Sequence, residues 1–318
     1  MEPKTTKVSI VGAGAVGATL AYAGLMRGFA RNVALFDINK AKVEAEALDL
    51  AQGIQFMPEA RIVGSDDVEV CADSDVVVIT AGAKQQPGQS RLELAEATIG
   101  LMDRIIPPLM TVSPDAIYIL VTNPVDVVTY AAIKKSGMSP RQMFGSGTVL
   151  DSSRLRYRVA HECGVAVSNV HAYIAGEHGD SEVPLWSSAT IGGVPLLEWH
   201  DKDGNIVMTP DVCDQIRHEV KDSAYKIIEG KGATNYAVGV AGARIVEAVL
   251  GDQNRVLPVS TLIDYPEVGE VCMSLPAVVG RNGIDHRVDV PLNDEERARL
   301  KLSARSIREV AEKFGAAS

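Results

Sequence analysis

The stretch that most constrains this 318-residue chain is Lys7-Val-Ser-Ile-Val-Gly12-Ala-Gly14-Ala-Val-Gly17-Ala-Thr-Leu-Ala. A short apolar strand runs into three glycines spaced GxGxxG, and a helix rich in alanine and leucine follows. Gly12 permits a tight turn, Gly14 leaves room for a pyrophosphate against the backbone, and Gly17 lets helix and strand pack closely. Alone, this pattern specifies little. A second apolar run, Asn32-Val-Ala-Leu-Phe-Asp37, ends in an acid 20 residues after Gly17. A carboxylate there can accept hydrogen bonds from ribose hydroxyls and repel a 2′-phosphate, so the expected ligand is NAD rather than NADP.

Two further apolar runs, Asp75–Thr80 and Ala116–Thr122, alternate with helical segments such as that carrying Val43, Ala47, Leu48 and Leu50. Continuous apolar strands separated by helices mean a parallel sheet covered on both faces, with ligands at the carboxyl ends of the strands. Gly12, Asp37, Ala81-Gly82-Ala83 and Asn123 all fall at such ends. The expectation for residues 1–148 is therefore an α/β domain of Rossmann type. The segment 81–94 has glycine and proline hinges, a polar middle and a cation, Arg91, where a helix begins. A loop that closes over a ligand and an ordinary solvated loop both fit that composition.

From about residue 150 the pattern changes to α+β. Asp151 to His161 reads as a helix with Asp151 and Arg154 on one face, and Arg156 turned by about 200° from Arg154. Val170-His-Ala-Tyr-Ile-Ala-Gly-Glu-His178-Gly-Asp180 reads as one strand that ends by presenting His178 between glycines, with acids on either side. Histidine titrates nearest neutrality, which suits it to proton transfer. Helices are expected over 209–229 and 233–250. Antiparallel strands are expected over 256–263 and 271–290, the last two joined by a type I′ turn at Asn282-Gly283. Asn293-Asp-Glu-Glu296 can cap a final helix with Leu300, Ile307, Val310 and Phe314 on its docking stripe. Residues 149–318 thus form a second domain.

Composition narrows the partners. A net charge of −10 argues against nucleic acid, whose binding needs a basic face. No apolar stretch resembles a signal peptide or a membrane span, and the four scattered cysteines lack a CxxC pair. A cytoplasmic protein with reduced thiols is expected.

With these residues together, the chain resembles the lactate and malate dehydrogenase superfamily, and within it the bacterial, allosteric L-lactate dehydrogenases. The motifs Gly12-Ala-Gly-Ala-Val-Gly17, Thr122-Asn-Pro-Val-Asp126, Gly145-Ser-Gly-Thr-Val-Leu-Asp151 and Gly176-Glu-His-Gly-Asp180 stand in that family's order. The resemblance implies that His178 exchanges the substrate proton, Asp151 orients it, Arg154 pairs with the substrate carboxylate and Arg91 polarises the carbonyl. It implies Gln85, Asn123 and Thr234 as further substrate contacts, pyruvate and lactate as substrates, and NAD held by Gly12, Gly14, Val16, Gly17, Asp37, Lys42, Gly82, Ala83, Val121, Thr122, Asn123 and Ser146. Malate-type relatives carry arginine where Gln85 stands, so a neutral substrate side chain is expected. Arg156 and His171 match positions that bind fructose 1,6-bisphosphate at a subunit interface, and a homotetramer is implied. Gln89, Thr98 and Val68 depart from the family's usual glutamate, asparagine and tyrosine. The alternatives are a malate or other 2-hydroxyacid dehydrogenase, and a non-catalytic NAD-binding or structural protein.

Overall fold

The computed structural model describes residues 5–83 and 91–314, without the side chains of Arg91 and Leu92. Gln85 and Gln89 lie outside the described residues. The chain opens with β1 (Lys7–Val11), α1 (Ala15–Arg27), β2 (Asn32–Phe36), α2 (Lys40–Gln52), β3 (Arg61–Ser65), β4 (Val76–Ile79), α3 (Arg91–Val112), β5 (Ile117–Leu120), α4 (Val125–Ser136), β6 (Met143–Gly145) and α5 (Val149–Glu162). All six of these strands pair in parallel, two more than the sequence suggested. The unforeseen pair are hard to read locally. β3 is a half-exposed edge with no apolar run, and β6 is only three residues long.

Alternate residues of the central strands serve opposite faces. Val77, Ile79, Tyr118 and Leu120 pack with α3, α4 and the last helix. Val76, Val78, Ile117 and Ile119 pack with α1 and residues Ala243–Val249. Double-sided burial is why these strands are apolar throughout.

The chain continues through β7 (Val170–His171), β8 (Ile174–Ala175), β9 (Val183–Pro184), β10 (Thr190–Ile191), β11 (Val194–Pro195), α6 (Pro210–Lys231), α7 (Tyr236–Leu250), β12 (Arg255–Tyr265), β13 (Gly269–Gly280), β14 (Gly283–Arg287) and α8 (Asp294–Lys313). The antiparallel strands β12–β14 do not make a separate sheet. β12 joins β6 through Ser260 and Gly145, giving one nine-stranded sheet in the order β14-β13-β12-β6-β5-β4-β1-β2-β3. The edge that β6 would leave open is thereby covered.

Two local expectations are corrected. The segment 170–175 is not one strand: β7 pairs with β10, and β8 with β9, in different sheets. Between them the backbone is satisfied by side chains of α5. Arg156 Nε donates to Ala172 O at 2.8 Å, and Ile174 N–H donates to Ser152 Oγ at 2.8 Å. At the β13–β14 hairpin Gly280 pairs with Gly283, so Arg281 and Asn282 are the central residues. Type I′ needs positive φ at both, whereas here Gly283 has it, at 82°. A Cβ on Gly283 would lie 1.9 Å from Arg141 O, so glycine serves a close backbone approach. The final helix is capped as expected, with Asn293 and Glu296 bonding reciprocally.

Candidate active site

The carboxyl ends of β1, β2, β4, β5 and β6 line one edge of the sheet. At the end of β1, Gly12 has φ 104°, and a Cβ there would lie 2.7 Å from Ala81 N. A Cβ on Gly17 would lie 1.9 Å from Gly12 O, which is the close helix–strand approach that position serves. Gly14 faces open space, with nothing within 4 Å of such an atom. It also begins α1 without a side-chain cap or an acid in the first turn, so the helix start keeps its preference for an anion. Asp37 accepts from Ala13 N–H at 2.8 Å and from Asn39 N–H at 2.9 Å. Each carboxylate oxygen keeps a lone pair for a ribose hydroxyl. An adenine dinucleotide fits this cradle. Val16 lies in the first turn of α1, and Gly82 and Ala83 follow β4. Val121, Thr122 and Ser146 lie at the neighbouring ends, with Thr122 Oγ1 donating to Ala81 O at 2.7 Å. Lys42 is exposed on α2.

Beside this edge α5 begins at Thr148, whose Oγ1 donates to Ile174 O at 2.5 Å and whose N–H donates to Ser274 Oγ at 3.1 Å. Those bonds fix the helix start, and Asp151 sits in its first turn. Asp151 Oδ1 accepts from Arg154 Nη1 at 2.8 Å, and its Oδ2 lies 2.5 Å from His178 Nδ1. Side-chain exposure rises from 3% at Asp151 through 13% at Arg154 to 25% at His178, so the acid is the floor and the ring is within reach of a ligand. Binding through Nδ1 leaves Nε2 for that ligand.

The electrostatics follow from this geometry. The Asp151 charge raises His178 to about 9, burial opposes the rise, and the hydrogen bond to Asp151 adds to it. Burial pushes Asp151 up, but the His178 charge, the His178 hydrogen bond and Arg154 together outweigh it and hold the carboxyl below its usual value. The pair is therefore an imidazolium–carboxylate couple near neutrality.

Neither acid flanking His178 in sequence takes part in that couple. Glu177 Oε2 accepts from Ser181 Oγ at 2.5 Å, while Asp180 pairs with Lys221 at 3.5 Å and accepts from Tyr225 Oη at 3.3 Å.

Two acids that sequence reasoning gave no role stand here instead. Asp126, in the first turn of α4, is buried. It accepts from His178 N–H at 2.7 Å and from Ser260 Oγ at 2.5 Å. Burial pushes its carboxyl up to about 6 against those two bonds. The readable signal was an acid inside the apolar run Val125–Ile133. The second is Glu182, four residues after His178, whose Oε1 is buried without a hydrogen-bond partner among the described residues.

Asn123 ends the β5 edge before a cis bond to Pro124. Thr234 lies in the α6–α7 loop beside Asn235, whose Nδ2 donates to Thr19 Oγ1 on α1 at 2.8 Å. Arg91 begins α3, and its side chain lies outside the described residues. Arg156 is separate from Arg154, as expected, with its guanidinium 4.9 Å from the Tyr173 ring centre. His171 is exposed on β7. Among the described residues no cluster of three or more metal-ligating side chains occurs. A cavity of about 600 Å³ lined by Trp186, Met208, Arg217 and Glu296 lies apart from this cleft.

Comparison with known proteins is consistent along the chain. Residues 6–145 match the family described as lactate/malate dehydrogenase, NAD binding domain. Residues 148–317 match its alpha/beta C-terminal domain. The chain is 58% identical over 313 residues to the L-lactate dehydrogenase of Bifidobacterium animalis subsp. lactis (strain AD011), covering 98% of each. It is 44% identical over 310 residues to that of Synechococcus sp. (strain JA-3-3Ab), covering 96% of this chain and 98% of the relative. A lactate dehydrogenase from a Medee basin deep-sea metagenome library superposes with a TM-score of 0.93 at 37% identity, covering 98% of this chain and all of the other. The minor L-lactate dehydrogenase of Enterococcus mundtii gives 0.92 at 36% identity, covering 98% and 99%.

Proposed function

The chain belongs to the lactate/malate dehydrogenase family as an NAD-dependent L-lactate dehydrogenase, and we propose that it interconverts pyruvate and (S)-lactate at the His178–Asp151–Arg154 cluster. The observation that carries this reading is the couple itself: His178 Nδ1 lies 2.5 Å from an acid that also holds Arg154. Bound NADH supplies the hydride in the reducing direction. In that direction the His178 imidazolium gives its Nε2 proton to the carbonyl oxygen, and in the other it recovers the proton from the alcohol. Asp151 orients the ring and stabilises its charge. Arg154 pairs with the substrate carboxylate, where a planar guanidinium binds two oxygens. Arg91 polarises the carbonyl, and Asn123 and Thr234 complete the pocket. The glycine turn, Asp37, Lys42 and the strand ends at Gly82, Ala83, Val121, Thr122 and Ser146 hold the dinucleotide. The division into a cofactor segment, 1–148, and a catalytic segment, 149–318, goes with this reading.

Gln85 sets the preference for a neutral side chain, because a second substrate carboxylate beside it is desolvated and unpaired. Fructose 1,6-bisphosphate is the proposed activator at Arg156 and His171. The bond from Arg156 Nε to Ala172 O leaves both terminal guanidinium nitrogens for phosphate, and this supports the assignment. Exposed apolar side chains on α1 and α7, among them Tyr22, Met26, Tyr236 and Val240, support a homo-oligomer, which we take to be a tetramer. No described helix is long and apolar enough to cross a membrane, the −10 charge speaks against nucleic acid, and a cytoplasmic location is part of the proposal.

The test is a steady-state panel of pyruvate, oxaloacetate and branched 2-oxo acids with NADH, with and without fructose 1,6-bisphosphate. Pyruvate should have the highest kcat/KM, Gln85→Arg should shift preference toward oxaloacetate, and Arg156→Gln should abolish activation while keeping basal turnover. An unchanged substrate ratio in Gln85→Arg sinks the specificity reading.

A further inference from the structure

Of the two acids that the proposed chemistry leaves unused, Asp126 is bonded to Ser260 and the His178 backbone, and Glu182 is the one without such bonds among the described residues. It lies at the entry to β9, and its Oε1 is buried with no hydrogen-bond partner among the described residues. Leaving such an atom unbonded is costly, more so when it is charged, so it needs a reason. The groups that bear on it come from three directions: Asp151 and Arg154 on α5, His178 on its own segment, and Lys221 on α6. Lys221 is itself 3.5 Å from Asp180. Two carboxylates thus lie within electrostatic reach of each other, and they are not equivalent. Asp151 holds His178 at 2.5 Å and Arg154 at 2.8 Å, whereas Glu182 Oε1 has no hydrogen-bond partner among the described residues. Where two acids compete in a desolvated site, the one with cationic partners keeps its charge and the orphan takes the proton. Burial, and then the Asp151 charge, push Glu182 up to about 8, in the same sense.

We propose that Glu182 stands as a neutral carboxylic acid beside the His178–Asp151 couple, and that its proton keeps this site able to accept an anionic 2-oxo acid. The proposal rests on the roles given above to His178 and Arg154. With Glu182 neutral, the imidazolium and Arg154 exceed Asp151 by one positive charge, which the substrate carboxylate cancels. With Glu182 ionised the excess is already gone, and the same carboxylate leaves the site negative in a poorly solvated cleft. Asp126, bonded behind the His178 backbone, and Arg91, which the proposed mechanism sets on the carbonyl, are of opposite charge and cancel in both counts. Substrate affinity therefore carries a proton dependence of its own, below that of His178.

The experiment measures oxamate binding to the full-length protein saturated with NADH, from about pH 6.5 to pH 9.5. In the wild-type protein Kd rises first above about 8, as Glu182 loses its proton, and again above about 9 with His178. In Glu182→Gln the first rise is absent, so at about pH 9 the variant gains about tenfold over wild type relative to its standing at about pH 6.5. Superimposable profiles, or a ratio that stays constant with pH, overturn the proposal. Should the variant not bind NADH, infrared difference spectra of the wild-type protein decide. A protonated-carboxyl C=O band must vanish through about pH 8, and a titration without that band overturns the proposal. Controls separate the two levels. If His178→Asn and Arg154→Gln reduce pyruvate as fast as wild type, the reading of the site itself fails. If both are inactive and Glu182→Gln matches wild type, only the role of Glu182 fails.

Discussion

At the scale of single residues, the proposed role of the His178–Asp151 couple predicts how turnover depends on pH. With His178 in its proposed role pyruvate reduction needs the imidazolium, so kcat/KM should be flat near neutrality, weaken first above about 8 with Glu182, and fall again on a His178 limb through about 9. Lactate oxidation needs the neutral ring and should rise over the same range. Asp151→Asn removes the largest influence that raises His178. Both limbs should then move to lower pH by more than about one unit, and pyruvate reduction near pH 7.5 should fall by about 100-fold or more. A variant whose limb stays near 9 removes Asp151 as the cause of the shift. The participants 27 residues apart were readable because each ends or begins a patterned segment and the joint spacing resembles one family. Asp126 and Glu182 were not readable in this way. The apolar run around Asp126 signals burial but no partner, and an acid in a helix's first turn or near a turn also has an ordinary surface explanation. Only packing shows that Asp126 is closed over by Ser260 and the His178 backbone, or that Glu182 Oε1 is buried without a partner among the described residues.

At the scale of elements, Asp126 is the tie between α4, β12 and the His178 segment, and its energetics have a definite sign. Its folded-state carboxyl titrates near 6, above the usual unfolded value of about 3.9. Between those pH values the folded chain binds more protons than the unfolded one, so this group's contribution to stability falls as pH rises from about 4 to about 6. Asp126→Asn can still accept the His178 N–H and can turn its amide to Ser260 Oγ, without a charge to bury. The stability of the variant relative to wild type should therefore grow by about 2–3 kcal/mol between about pH 4 and pH 7, read as the shift in urea midpoint at each pH. A difference independent of pH rules out a buried, pH-sensitive charge at this position. The long elements around this tie were legible: α5, α6, α7 and α8 follow apolar stripes and capping residues. The segment 170–175 was not, because its alternation suits one strand, while its actual hydrogen bonds go to Ser152 and Arg156 on α5. Alternation records which face is buried and is silent on which neighbour pairs.

At the scale of the whole molecule, a change of pattern near residue 150 suggested two architectures, and the sheet joins them. One antiparallel contact, Ser260 against Gly145, makes nine strands continuous across the boundary. No periodicity in the sequence encodes that contact, because it depends on Gly145 lacking a side chain: a Cβ there would lie 3.0 Å from Ser260 Cβ and 2.6 Å from Thr129 Oγ1. The exchange continues on the other face. α7, from the second half, packs on α1 of the first, where a Cβ on Gly239 would lie 2.7 Å from Thr19 Cγ2. Leu20 and Val246 belong to one buried cluster. Neither half can expose its side of that cluster without opening the other, so the chain should unfold as one cooperative unit despite its two patterns. Both tryptophans, Trp186 and Trp199, lie in the second half, whereas helices α1 to α4 lie in the first. Tryptophan fluorescence and far-UV circular dichroism followed through urea should therefore give coincident midpoints at equal protein concentration. A fluorescence transition clearly separated from the dichroism transition indicates halves that unfold independently, and the shared sheet and the α1–α7 contact are then too weak to couple them.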